Sequence, residues 1–217
     1  MGEYSLSPWK GKRINLKLIP FYVLSALSVF FLSYLNQYIF FEAEVDEYIF
    51  FFVLPFLVEY SLVWGFWGLA SSYLALLISL ACISQLPIAQ ASVLSLIYLI
   101  TPIVSLLFYR SLSKKLNVDP LLRDLVSSEA EGVKKSRFRA WVIFVILVAL
   151  ALNALQSYLG SIYLVSLDII NYRDGVFWFN VWTFTNFISL IVIMPILVKG
   201  LSEVLDEFKL VNYGLFS

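Results

Sequence analysis

Histidine is absent from the 217-residue chain, and cysteine occurs once, at Cys82. Without histidine there is no Ser-His-Asp or Cys-His catalysis, no histidine-ligated zinc and no axial haem histidine. A lone cysteine cannot close an internal disulfide or hold an iron–sulfur cluster; inside an apolar run it reads as a small buried apolar residue. Charge is scarce too. Charged residues make up 14% of the chain, 15 basic against 15 acidic, so no basic excess points to nucleic acid. Walker motifs, glycine-rich phosphate loops, zinc-ligand spacings and nucleophile elbows are all missing, which argues against an enzyme. No cofactor is called for.

What the chain does have is apolar sequence: 61% of its residues, against about 45–50% in a soluble domain. With a mean hydropathy of +0.87, too little polar surface remains to cover a water-soluble globule, and disorder is excluded for the same reason. The expected fold is an all-α polytopic protein of the cell membrane, with about six transmembrane helices and both termini cytoplasmic. Its principal partner is the lipid bilayer.

The expected spans are 18–41, 48–64, 66–84, 88–109, 141–165 and 176–198. Residues 1–17 form a cytoplasmic N-terminal segment carrying Lys10, Lys12, Arg13 and Lys17. The membrane domain covers 18–200, and 201–217 is a cytoplasmic tail. The first span starts like a signal sequence, but it is long and no small-residue cleavage site follows, so it reads as a retained anchor. Residues 48–84 as one helix would reach about 55 Å, against a hydrocarbon core of about 30 Å. A break is therefore expected at Trp64-Gly65-Phe66-Trp67-Gly68, where two glycines permit a tight turn.

Charge supports this count. The connector 110–139 holds Arg110, Lys114, Lys115, Arg123, Lys134, Lys135, Arg137 and Arg139 against four acidic residues, whereas 42–47 is purely acidic among its charges. The positive-inside rule puts the N-terminus and the connector inside, and 42–47 and 166–175 outside. An even number of crossings before residue 110 requires 48–84 to be two helices. Within the connector, Asp119-Pro120 reads as a helix start, with Leu121, Leu122, Leu125 and Val126 on one face and Gly132 as its end. That helix either lies on the membrane surface or docks on a cytoplasmic partner. The tail repeats the pattern weakly at Leu201, Val204, Leu205 and Phe208.

Polar groups at membrane depth mark candidate sites. Glu59 is the one acidic residue inside an expected span. It is either a ligand, proton or cation site, or a neutral or snorkelling side chain. The fifth span carries a small-residue ridge, Ala149, Asn153, Ser157 and Ser161, with Gln156 and Gly160 beside it. It reads either as close helix packing glued by Asn153, or as a pocket wall formed by Asn153 and Gln156. The sixth span places Trp178, Trp182, Asn186 and Ser189 on one face. An aromatic belt accounts for Trp178, but not for the deeper Trp182 and Asn186, which suit a small polar ligand. Between the last two spans, Asp168, Arg173 and Asp174 form either a surface ion pair or a lid. The candidate ligand-binding set is Glu59, Asn153, Gln156, Trp178, Trp182 and Asn186.

Two stretches together resemble a known group: Leu54-Pro55 through Trp64-Gly65-Phe66-Trp67-Gly68-Leu69-Ala70-Ser71, and Phe177-Trp178-x3-Trp182-x3-Asn186 ending at Pro195. They are similar to membrane-associated sensor (MASE-type) domains and to the related S components of energy-coupling-factor vitamin transporters. The resemblance implies six helices, an outward-facing pocket for a small molecule, no enzymatic activity, and work with partners. Those partners would be a transmembrane coupling protein and ATPase for uptake, or a separate signalling protein for sensing. The sensor pattern commonly has aspartate where Asn186 stands. The S-component first helix has an alanine ridge, where this chain has Ser25, Ala26 and Ser28. The competing reading is a structural or assembly protein whose polar residues only join helices. An intramembrane enzyme is the remaining alternative, and it lacks a second acidic group near Glu59.

Overall fold

Backbone polar groups in lipid must bond within the chain, and an apolar chain meets that demand with helices. The computed structural model describes residues 18–41, 53–126, 131–208 and 211, and these are helices joined by short turns, with no strand among them. Residues 1–17, the acidic knot at 42–47 and most of the last nine residues lie outside the described set. In chain order the helices are α1 (Ile19–Phe41), α2 (Val53–Trp64), α3 (Phe66–Cys82), α4 (Ile88–Tyr98), α5 (Ile100–Leu116), α6 (Glu131–Ile143), α7 (Asn153–Ser166) and α8 (Tyr172–Phe208). A 3₁₀ turn at Arg123–Leu125 follows α5, and a π-helical stretch, Phe144–Leu152, joins α6 to α7.

Three helical segments are long and apolar enough to cross a membrane: Ile88–Ser113, Arg137–Ser166 and Tyr172–Ser202. Ile19–Leu35, α2 and α3 are shorter apolar helices. The 12 residues of α2 rise about 18 Å, yet all but Phe56 are buried, so α2 is the central strut of the bundle. It packs against α1, α3, α5 and α8.

The chain breaks at Gly65, as its length demanded. Gly65 takes φ 60 and ψ −133, a region open essentially to glycine alone. Three residues on, a Cβ at Gly68 would stand 2.0 Å from the carbonyl oxygen of Tyr60, so α2 and α3 touch backbone to backbone. Side-chain pairs give the directions. Tyr22 stacks on Trp67 and Ser25 bonds Ser71, so α1 and α3 run alike. Tyr22 meets Trp64 edge-on while Ser28 bonds Tyr60, so α2 runs against α1. Contacts of Gly175 with Val165, Gly160 with Trp182 and Asn153 with Thr183 pair α7 and α8 antiparallel.

The fourth expected span is two helices. Pro102 has no N–H to give to the carbonyl of Tyr98, and its ring crowds that carbonyl. The helix breaks accordingly at Leu99. The fifth and sixth are longer than expected. The helical run 131–166 is continuous, and α8 passes through Pro195 to Phe208.

The connector departs most from its sequence reading. In place of an amphipathic helix from Asp119 there is a cap-and-turn. Asp119 Oδ1 accepts from the N–H of Leu121, and Asp124 Oδ2 accepts from that of Asp119. Gly132 falls inside α6 rather than ending a helix. Leu121, Leu122 and Leu125 are buried in the chain's own core and Val126 packs against it, so they are not a free docking face. Trp141 Nε1 donates to Leu125 O and Arg139 to Leu116 O, tying the turn to the helices on either side.

Candidate functional site

Leu99–Pro102 creates the site's first constraint. A helix start leaves its first N–H groups without intrahelical partners. Thr101 N–H finds one across the bundle, in Gln156 Oε1 at 3.3 Å. Gln156, expected on a pocket wall, therefore caps α5. Asn153 Nδ2 donates to Thr183 O at 2.8 Å and to Ala149 O at 3.2 Å, joining α7 to α8. Ser157 and Ser161 continue that buried ridge, and Ser161 Oγ bonds Ser157 O. Each π turn is wider than an α turn, so the stretch 144–152 resets the rotation of α7. The face it turns inward is Asn153, Gln156, Ser157, Gly160, Ser161 and Leu164.

On α8 the inward face is Trp178, Trp182, Asn186 and Ser189, all buried. Trp178 thus packs inside the protein, against Phe177 and at 6.4 Å from the Trp182 ring, rather than in a lipid-facing belt. The Trp182 ring lies over Gly160, where a Cβ would come within 3.2 Å of its Cζ3. Trp182 Nε1 and Asn186 Oδ1 have no hydrogen-bond partner among the described residues, and each residue is only 4% exposed. One turn of helix thus presents a donor and an acceptor that are both unspent.

Glu59 lies on α2. It is 2% exposed, and its Oε2 has no partner among the described residues. The charged groups acting on it are Asp119 and Arg123 of the connector, themselves 4.0 Å apart. Its own helix ends against Arg110, whose Nη2 donates to Leu62 O at 3.3 Å. A cation over the last carbonyls of α2 offsets the helix dipole there. Arg110, counted as the first base of the connector, is buried within α5.

Between α7 and α8, Asn171 caps α8. Its Oδ1 accepts from Asp174 N–H and its Nδ2 donates to the Asp174 carboxylate. Asp174 is thus engaged by Asn171. Among the described residues, no group of three or more Cys, Asp or Glu side chains comes together as a metal site.

Sequence reasoning passed over Thr101, Ser105 and Tyr109, which are buried along α5 with unspent hydroxyls. Their spacing of four was the available signal. It is weak, because a helical hydroxyl ordinarily bonds a carbonyl one turn back. No protein-family model, curated protein or solved structure matches this chain.

Proposed function

We propose that the chain is a six-span protein of the cell membrane, with both termini cytoplasmic, that binds a small polar molecule inside its outer half. The ligand lies where the α4–α5 break, α7 and α8 meet, and the protein serves uptake or sensing with partner proteins rather than catalysis. The observation that carries this is the pair Trp182 Nε1 and Asn186 Oδ1, buried and unspent one turn apart beside Gly160. Polar groups held away from water need partners, and a ligand with an acceptor for the indole and a donor for the amide oxygen supplies them. Alternating helix directions and the basic connector support the topology, and the resemblance to sensor domains and S components is in keeping with it.

Equilibrium binding of a vitamin panel to the purified protein tests this. Replacing Trp182 and Asn186 together by alanine should weaken binding by about a hundredfold, two lost buried hydrogen bonds at about 1.4 kcal/mol each. Unchanged retention of the ligand by the double variant overturns the site.

The assembly reading is favoured by one set of contacts, since Asn153 and Gln156 are spent on backbone groups of neighbouring helices. On that reading no panel member binds. Asn153→Ala should lower stability by about 1 kcal/mol, the usual size of an interhelical polar bond, as read by thermal unfolding in detergent, and should change nothing else.

A further inference from the structure

A buried hydroxyl with nothing to bond costs about 1–3 kcal/mol, so such groups pair with protein or with internal water. Ser95 on α4 follows the usual course and bonds Ala91 O. Thr101, Ser105 and Tyr109 do not. They recur every four residues on one face of α5. All three are 0% exposed, and none of their hydroxyls has a partner among the described residues. Helix α2 packs on this stretch, fastened at Ser61 Oγ to Pro102 O (3.2 Å) and at Leu62 O to Arg110 (3.3 Å), while α7 and the π-helical stretch also pack on α5. These two fastenings enclose Ser105 and Tyr109, with Thr101 next to the first of them, and on α2 itself Glu59 Oε2 is also buried, with no partner among the described residues.

We propose that the α2–α5 interior holds a file of water molecules along Thr101, Ser105 and Tyr109, and that Glu59 takes up and releases a proton through it. In the uptake step a hydronium in the file gives its proton to the Glu59 carboxylate, leaving a carboxylic acid and a water; release is the reverse. Each water needs two to four polar partners, which the three hydroxyls, the carboxyl and neighbouring waters provide. The groups that bear on Glu59 are Tyr60 on its own helix and Asp119 and Arg123 in the connector, and α5, which packs on α2, carries Tyr109 and Arg110. Helices α1 and α3 carry no charged residue, and the described charges of α8, Arg173, Asp174 and Lys199, sit away from its middle. The proposal does not depend on a ligand at Trp182 and Asn186.

Infrared difference spectroscopy of the full chain in lipid bilayers, titrated in H₂O and D₂O, tests this. The expected result is a protonated-carboxyl band that Glu59→Gln abolishes and that exchanges deuterium promptly in the wild type. Thr101→Val and Ser105→Ala, which leave Glu59 in place, should slow that exchange by about tenfold or more as polar partners of the file are lost. A band that survives Glu59→Gln overturns the assignment of the carboxyl. Exchange as fast in the two hydroxyl variants as in the wild type, or absent in the wild type, overturns the water file. Thermal unfolding checks each variant. Should Glu59→Gln not fold, Ser105→Ala, which removes one oxygen, still decides the path.

Discussion

At the α2–α3 turn backbone meets backbone, whereas along α7 and α8 side chains fill the space between the helices. Gly68 lies so close to the Tyr60 carbonyl that no side chain fits. Gly160 instead makes a notch that the Trp182 ring occupies, and Asn153 reaches across to Thr183 O. Lipid tails are as apolar as the helices, so packing and hydrogen bonds must drive association. The two regions meet that demand differently. A backbone contact between short helices cannot yield, but a ring or an amide can move by a few tenths of an ångström. The second kind of joint leaves room for adjustment; the first suits a fixed frame.

Substitutions can break or sharpen this contrast. The largest effect is expected from Gly68→Ala. A Cβ 2.0 Å from a backbone oxygen has to separate α2 from α3, costing about 3 kcal/mol or more. Loss of monodisperse protein on size-exclusion chromatography, or a large fall in melting temperature, is the readout; a wild-type melt would end the backbone-contact argument. Next is Gln156→Leu, which leaves Thr101 N–H buried without its partner and should cost about 2 kcal/mol. Thermal unfolding measures it, and a neutral result would mean that another group caps α5. The smallest is Gly160→Ala. Here the neighbour is a ring atom at 3.2 Å, free to shift, so the cost should be about 1 kcal/mol or less. A change in tryptophan emission should accompany it. A loss as large as that of Gly68→Ala would erase the distinction between the two joints.

Much of the frame was legible beforehand because it rests on local quantities. The length of the run 48–84 demanded a break, and the glycines marked where. The α8 face of Trp178, Trp182 and Asn186 followed from helical periodicity alone. The connector was misread because Leu121, Leu122 and Leu125 show the same apolar pattern whether they face a partner, a membrane or the chain's own core. The candidate site was half legible. Asn153 and Gln156 stood out as amides inside an apolar run, and both are buried, but their partners, Thr183 O and Thr101 N–H, could not be guessed. Arg110 looked like one more base in a basic loop, and nothing local distinguished it as the cap of α2.

The sequence by itself determined the class of the protein, its ordered series of apolar helices and the turn at Gly65. Composition, run length and the steric freedom of one residue are properties of short segments. Only the tertiary structure decided which polar groups are spent and which are not. Gln156 and Thr101 lie 55 positions apart, Ser61 and Pro102 lie 41 apart, and a hydrogen bond between distant residues exists only once packing has brought them together.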